Sequence, residues 1–248
     1  MMGFPRVLVA SPTAVAKKYC FDDWLDNVLG FTYPNYNVIL FDNTNDNGEF
    51  TNYMNTIRKN KYGNNDKFLA ANSLELNNSS ATNVIEKMCI SHNDCRKYAI
   101  LNNYDYLLHL ESDVFPEKDV IETLMFHNKK VVGVIYYRDE GYFRKPMLQM
   151  SIEPIEKHIK TLNFEHNEDL CFLDGAIKKV AHVGLGCVLI HNKVLRKIPF
   201  RFEKGVEMHP DSYFAEDCFR NGISIYADTS VICRHENQAW GIYGIDYR

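Results

Sequence analysis

The chain has 248 residues, 46% hydrophobic and 24% charged, with a formal net charge of -4. It is long enough to bury a substantial core and has the composition of a globular protein, without collagen-like or disordered bias. The acidic balance excludes a global basic field for nucleic acid or anionic membrane, and leaves only local basic patches as a route to such partners.

In chain order, Met1 to Arg6 runs directly into Val7-Leu8-Val9-Ala10, an apolar block too short for the core of a signal peptide. Arg6 to Ala10 reads as a strand, Ser11-Pro12-Thr13 as a loop, and Ala14 to Leu29 as a helix. Asn37 to Phe41 is a second strand, ending in Asp42-Asn43-Thr44. The Asn-rich stretch from Thr44 through Asn78 resists assignment beyond a short helix near Tyr53 to Lys59 and a strand near Phe68. Ser79 or Ser80 is placed to cap a long helix that runs to about Leu101.

The run Tyr104 to Leu110 is an apolar strand that delivers Glu111-Ser112-Asp113 at its carboxyl end. Residues i and i+2 of an extended chain share a face, so Glu111 and Asp113 can reach one ion while Ser112 turns away. Hard divalent cations take such oxygen ligands and share them with phosphates. A helix follows, with Pro116 in its first turn and Val120, Ile121, Leu124 and Met125 at helical spacing, so capping is the competing reading of the acids.

Lys130 to Tyr137 is the next strand, Arg138 to Lys178 an irregular excursion, Val180 to Ile190 a strand, and Lys193 to Ile198 a short helix or turn. Ser212 to Asn221 reads as a helix, Ile223 to Ala227 as a strand, and Val231 to His235 as the closing strand. Strands alternating with helices predict an α/β protein with an open, mainly parallel sheet flanked by helices, and no linker or repeat divides it, so one domain spans 1–248. Seven cysteines, odd in number and without C-x-x-C spacing, predict buried free thiols in a reducing compartment. No apolar run reaches membrane-spanning length, and the expectation is a soluble cytoplasmic protein without a membrane span.

Ligands of open α/β sheets sit beyond the carboxyl ends of the strands. Three such ends here carry polar groups: Ser11 and Thr13, Asp42 and Asn43, and Glu111 and Asp113. Each is by itself an ordinary turn residue; the three together point to a bound ligand.

With an Arg on the long helix, a Gly-containing strand, the pair Glu216-Asp217 in a late helix and a final His, this order resembles the glycosyltransferases of the GT-A fold, in particular family 2. The resemblance covers nearly the whole chain. It implies a Rossmann-like GT-A domain with a smaller mixed β region near the acceptor side. Ser11, Pro12 and Thr13 would lie beside the nucleotide, Asp42 and Asn43 near its base, and Arg96 near the donor. Glu111-Ser112-Asp113 stands where the family has Asp-x-Asp. Asp113 would ligate Mn2+ or Mg2+, Glu111 would approach the ribose or the metal, and His235 would complete the coordination. Asp217, with Glu216, would supply the base that deprotonates the acceptor; helix capping is the alternative for this pair. Gly184 and Gly186 either admit the sugar or mark a bulge.

His182, His191 and His209 are expected to be surface or hydrogen-bonded residues. Tyr136, Tyr137, Tyr142 and Phe143 around Arg138 and Arg144 are candidates for the acceptor side, as are Trp240, Tyr243 and Tyr247 with Gly241 and Gly244 in a closing terminal loop. Packing is the competing role. The implied activity is transfer of a sugar, with inversion, from a nucleotide-diphosphate donor of UDP type to a hydroxyl acceptor: a saccharide, or in the alternative a hydroxymethylated DNA base. A nucleotidyltransferase and a non-catalytic nucleotide-sugar-binding module are the rivals; the first lacks a Gly-rich phosphate loop after the first strand.

Overall fold

A computed structural model describes residues 3–63, 65–74, 84–140, 143–150, 160–161, 173–206 and 208–236. Strand β1 (Val7–Thr13) pairs in parallel with β2 (Tyr36–Asp42) on one side and with β4 (Tyr106–Leu110) on the other, and β3 (Phe68–Ser73) extends the sheet beyond β2. On the far side of β4 lie β13 (Cys187–His191), β6 (Val131–Ile135), β14 (Ile225–Ile232) and β11 (Ile177–Val180). The order is β11-β14-β6-β13-β4-β1-β2-β3. Only β13 and β11 run against the rest.

The strands are apolar on both faces because both faces are covered. Val7, Val9, Val38, Leu40, Leu108 and Leu110 pack under α1 (Phe21–Leu29), α2 (Glu49–Ile57) and α4 (Val120–Phe126). Leu8, Ala10, Ile39, Phe41 and Leu107 face α3 (Val84–Leu101), α5 (Asn192–Lys197) and α6 (Pro210–Arg220). In α1 the buried residues Phe21, Trp24, Leu25 and Val28 fall at i, i+3, i+4 and i+7, one apolar stripe. Asp22 and Asp23 in its first turn suit the helix dipole.

Small pairings frame the carboxyl edge of this sheet. β5 (Val114–Phe115) pairs with β15 (Arg234–His235), β7 (Tyr137–Glu140) with β8 (Phe143–Pro146), and β9 (Leu148–Met150) with both β10 (Lys160–Thr161) and β12 (His182–Val183). These form the smaller β region, and each of its pairings is antiparallel.

Several boundaries differ from the sequence reading. The helix expected from Ala14 is a 3-10 turn at Val15–Cys20 followed by α1. The strand expected over Val180 to Ile190 is split into β12 and β13, which belong to different sheets. The proposed caps Ser79 and Ser80, the aromatic residues Tyr142, Trp240, Tyr243 and Tyr247, and Gly141, Gly241 and Gly244 lie outside the described residues, as do the side chains of Arg138, Phe143 and Arg144. Cys20, Cys89, Cys95, Cys187, Cys218 and Cys233 are buried free thiols. Among the described residues no helix is long and apolar enough to cross a membrane.

Candidate metal and donor site

Parallel pairing of β1 with β4 sets the loop after Ala10 beside the loop after Leu110. Thr13 and Ser112 join them through a hydroxyl pair at 2.8 Å. The Glu111 amide donates to the Gly186 carbonyl at 2.9 Å, and the Val114 amide returns to the Glu111 carbonyl at 3.1 Å, turning the chain directly after the strand. β15 then pairs with β5, His235 opposite Val114, and the Glu236 amide donates to the Asp113 carbonyl at 2.9 Å. A residue 122 positions from Asp113 is thereby fixed beside it.

The Glu111, Asp113 and His235 side chains each offer a ligand atom, and these atoms lie within 4.8 Å of one another. His235 Nδ1 contacts the Tyr137 carbonyl at 2.7 Å. A carbonyl only accepts, so Nδ1 carries a proton and Nε2, 3.4 Å from Asp113 Oδ2, is the ring atom left to serve as a ligand. Asp113 is fully buried, and its Oδ1 has no hydrogen-bond partner among the described residues. Two carboxylates and an imidazole, with an unmet buried oxygen among them, fit Mn2+ or Mg2+. Lys17, in the 3-10 turn, pairs its ammonium with Asp113 Oδ2. Burial pushes the Lys17 pKa down, against the upward pull of Glu111.

Tyr136 is the wall of this cluster. Its ring meets the His235 ring edge-on, with centroids 5.3 Å apart, and its hydroxyl accepts from the Gly186 amide at 2.9 Å. A methyl group at Gly186 would come within 2.7 Å of Tyr136 Cε1, and one at Gly184 within 3.0 Å of Cζ. The two glycines, which lie between β12 and β13, thus admit the Tyr136 ring. Burial drives the Tyr136 pKa well above its ordinary value, and Glu111 and Asp211 push it the same way.

Asp211 lies in the first turn of α6, after Pro210 in the first helical turn. His182 Nε2 is 3.3 Å from Asp211 Oδ2, and the Ser212 amide donates to Asp211 Oδ1 at 2.7 Å. Burial raises the carboxyl pKa, but His182, His209 and the Ser212 amide outweigh it and hold the group below the ordinary carboxylate range. Sequence reasoning missed this residue; its signal was the Pro-Asp pair at a helix start.

Glu216 and Asp217 are five and six residues further along α6, about 7.5 and 9 Å down the axis from Asp211, with Asp217 about 120° round it. Asp217 pairs with Arg201 at 2.8 Å, and Glu216 with Arg201 at 2.9 Å and Arg220 at 2.6 Å. The structure does not bring this pair to the acid cluster. Nor does it bring Arg96, which donates to the Leu195 carbonyl at 2.6 Å. That carbonyl belongs to α5, which follows His191 opposite Tyr106, at the amino end of β4.

Ser11 is fully buried, with its hydroxyl on the Pro12 carbonyl at 3.2 Å. Asp42, also fully buried, accepts from the Thr44 amide at 2.9 Å and the Thr51 hydroxyl at 2.8 Å, and so braces the loop after β2. Asn43 hydrogen-bonds the Ser91 hydroxyl at 3.2 Å. His182 is buried and partnered by Asp211, and His191 accepts from the Lys193 amide at 3.0 Å at the start of α5.

No protein-family model matches the sequence, and no curated protein matches it significantly. Solved structures do. The mannosyltransferase PcManGT from Pyrobaculum calidifontis, in complex with GDP-Man and Mn2+, aligns at TM-score 0.59 and 15% identity, covering 93% of this chain and 56% of that one. GalNAc-T7 with UDP, GalNAc and Mn2+ aligns at 0.62 and 9%, covering 94% and 44%. S. aureus TarS 1-349 aligns at 0.56 and 13%, covering 95% and 62%, and its complex with UDP-GlcNAc aligns at 0.53. The chain therefore spans about half the length of these neighbours. Its fold is that of the GT-A glycosyltransferases.

Proposed function

We propose that this protein is a metal-dependent glycosyltransferase that moves a sugar from a nucleotide-diphosphate donor to a hydroxyl acceptor with inversion at the anomeric carbon. The observation that carries the reading is the convergence of Glu111, Asp113 and His235 at the carboxyl edge of a GT-A sheet. Those residues would hold Mn2+ or Mg2+, which when bound would neutralise charge on the departing diphosphate. The loops Ser11 to Thr13 and Asp42 to Asn43 would hold the nucleotide, and the uridine ligands of two structural neighbours favour a UDP-sugar.

Asp211 is assigned the base in place of Asp217. Held ionised, it takes the proton from the acceptor hydroxyl as that oxygen bonds to the anomeric carbon and the bond to the diphosphate breaks. Asp211 and Glu111 both act electrostatically on Tyr136, which supports the assignment, and Asp217 is engaged by Arg201. The acidic net charge favours a saccharide over a nucleic acid acceptor. Buried free thiols favour a reducing, cytoplasmic setting.

Incubation with a panel of nucleotide sugars and Mn2+ tests the reading. Metal-dependent release of nucleoside diphosphate, as slow donor hydrolysis without an acceptor, is expected. Release of pyrophosphate from a nucleoside triphosphate and a sugar phosphate, in a parallel incubation, would indicate a nucleotidyltransferase, and thermal stabilisation without turnover would indicate a binding module.

A further inference from the structure

Lys17 holds the position that a metal ion would contest. Its ammonium pairs with Asp113 Oδ2, the same oxygen that lies 3.4 Å from His235 Nε2, and Glu111 acts on it electrostatically. Asp113 is fully buried, and the Lys17 side chain is only 17% exposed. A carboxylate removed from water needs a cation against it. Lys17 meets that need from within the chain, and the 3-10 turn at Val15–Cys20 is what aims it there. The turn is itself tied to the site, since Cys20 contacts the Ser112 carbonyl at 3.4 Å and Tyr19 donates to the Glu236 carbonyl.

We propose that Lys17 is the resident counter-cation of the Glu111–Asp113–His235 cluster, which a divalent ion must displace from Asp113 before His235 and Asp113 can share that ion. A divalent ion and an ammonium on one carboxylate oxygen repel each other strongly at such short range. Displacement leaves the ammonium needing a new anion, and a nucleotide diphosphate beside the metal supplies one. Metal alone therefore binds weakly, and metal with nucleoside diphosphate binds tightly. The inference rests on the metal-site reading above.

Calorimetric titration of Mn2+ into wild type and Lys17→Met, with and without UDP, tests it. The Met side chain fills similar space without charge. Without UDP, Lys17→Met is expected to bind Mn2+ on the order of tenfold more tightly than wild type. UDP should strengthen Mn2+ binding in wild type and do so less in the variant. Mn2+ affinity in Lys17→Met equal to or weaker than wild type would overturn the proposal. Should Lys17→Met melt too low for calorimetry, the rise in its melting temperature with Mn2+ serves instead, expected to exceed that of wild type; an equal or smaller rise overturns the proposal. Asp113→Asn separates the two readings: unchanged Mn2+ binding in that variant means the metal site is misassigned, whatever Lys17 does.

Discussion

Gly186→Ala puts the architecture of the site to a quantitative test. The added methyl would lie within 2.7 Å of Tyr136 Cε1, far inside contact distance, and the Tyr136 ring also packs edge-on against His235. Overpacking of this kind costs about 1–3 kcal/mol, and displacing the ring also breaks the Gly186 amide to Tyr136 hydroxyl bond, worth about 0.5–1.5 kcal/mol. The expected loss is about 2–4 kcal/mol, which for a chain of this size lowers the melting temperature by about 4–16 °C. Urea denaturation of the single variants and of the double variant with Tyr136→Leu isolates the cause. Once the ring is gone, Gly186→Ala should cost under about 1 kcal/mol, a coupling large enough to resolve in a double-mutant cycle. Equal costs in the two backgrounds would refute the claim that this glycine exists to admit Tyr136.

Asp211→Asn should lower transfer about 100- to 10,000-fold while leaving donor and metal binding intact, whereas Asp217→Asn should lose only its bond network with Arg201; calorimetry and a diphosphate-release assay on both variants decide between them, and a silent Asp211→Asn removes the base assignment. Burial, only partly offset by the Leu185 carbonyl, pushes the His109 pKa down to about 4. An unfolded His109 takes its proton near pH 6.5, so between pH 6.5 and 4 the unfolded chain binds more protons and stability falls with the pH. Wild type should lose about 3 kcal/mol more over that window than His109→Phe, and parallel denaturation profiles would contradict this. Asp42→Ala removes the acceptor of two buried bonds and should cost about 2–3 kcal/mol; an unchanged thermal melt would show that Asp42 does not brace its loop.

The parallel half of the sheet was legible because β1, β2, β4 and β6 are continuous apolar runs, the mark of strands covered on both faces. Glu111 and Asp113 were legible for a different reason: an i, i+2 spacing at a strand end is a local statement about direction. His235 could be joined to them only through the family resemblance, since nothing local in the sequence announces that β15 pairs with β5. The split of Val180 to Ile190 was hidden because the side chain packed against Gly184 and Gly186, Tyr136, is distant in sequence. Arg96 illustrates a second limit. A long helix presents basic residues along its whole length, and sequence does not state which end lies over the carboxyl edge; twelve residues after Val84, Arg96 is about 18 Å down α3. Asp211 was passed over because the helix was expected from Ser212, one residue after the acid that its first turn in fact contains.

The central claim is that Glu111, Asp113 and His235 share one divalent ion beside a nucleotide diphosphate. Diffraction from crystals grown with Mn2+ and UDP, recorded at the manganese absorption edge, tests it most directly. The account predicts an anomalous peak bounded by the Asp113 carboxylate, His235 Nε2 and the UDP phosphates. A peak elsewhere, or none with UDP bound, would contradict it.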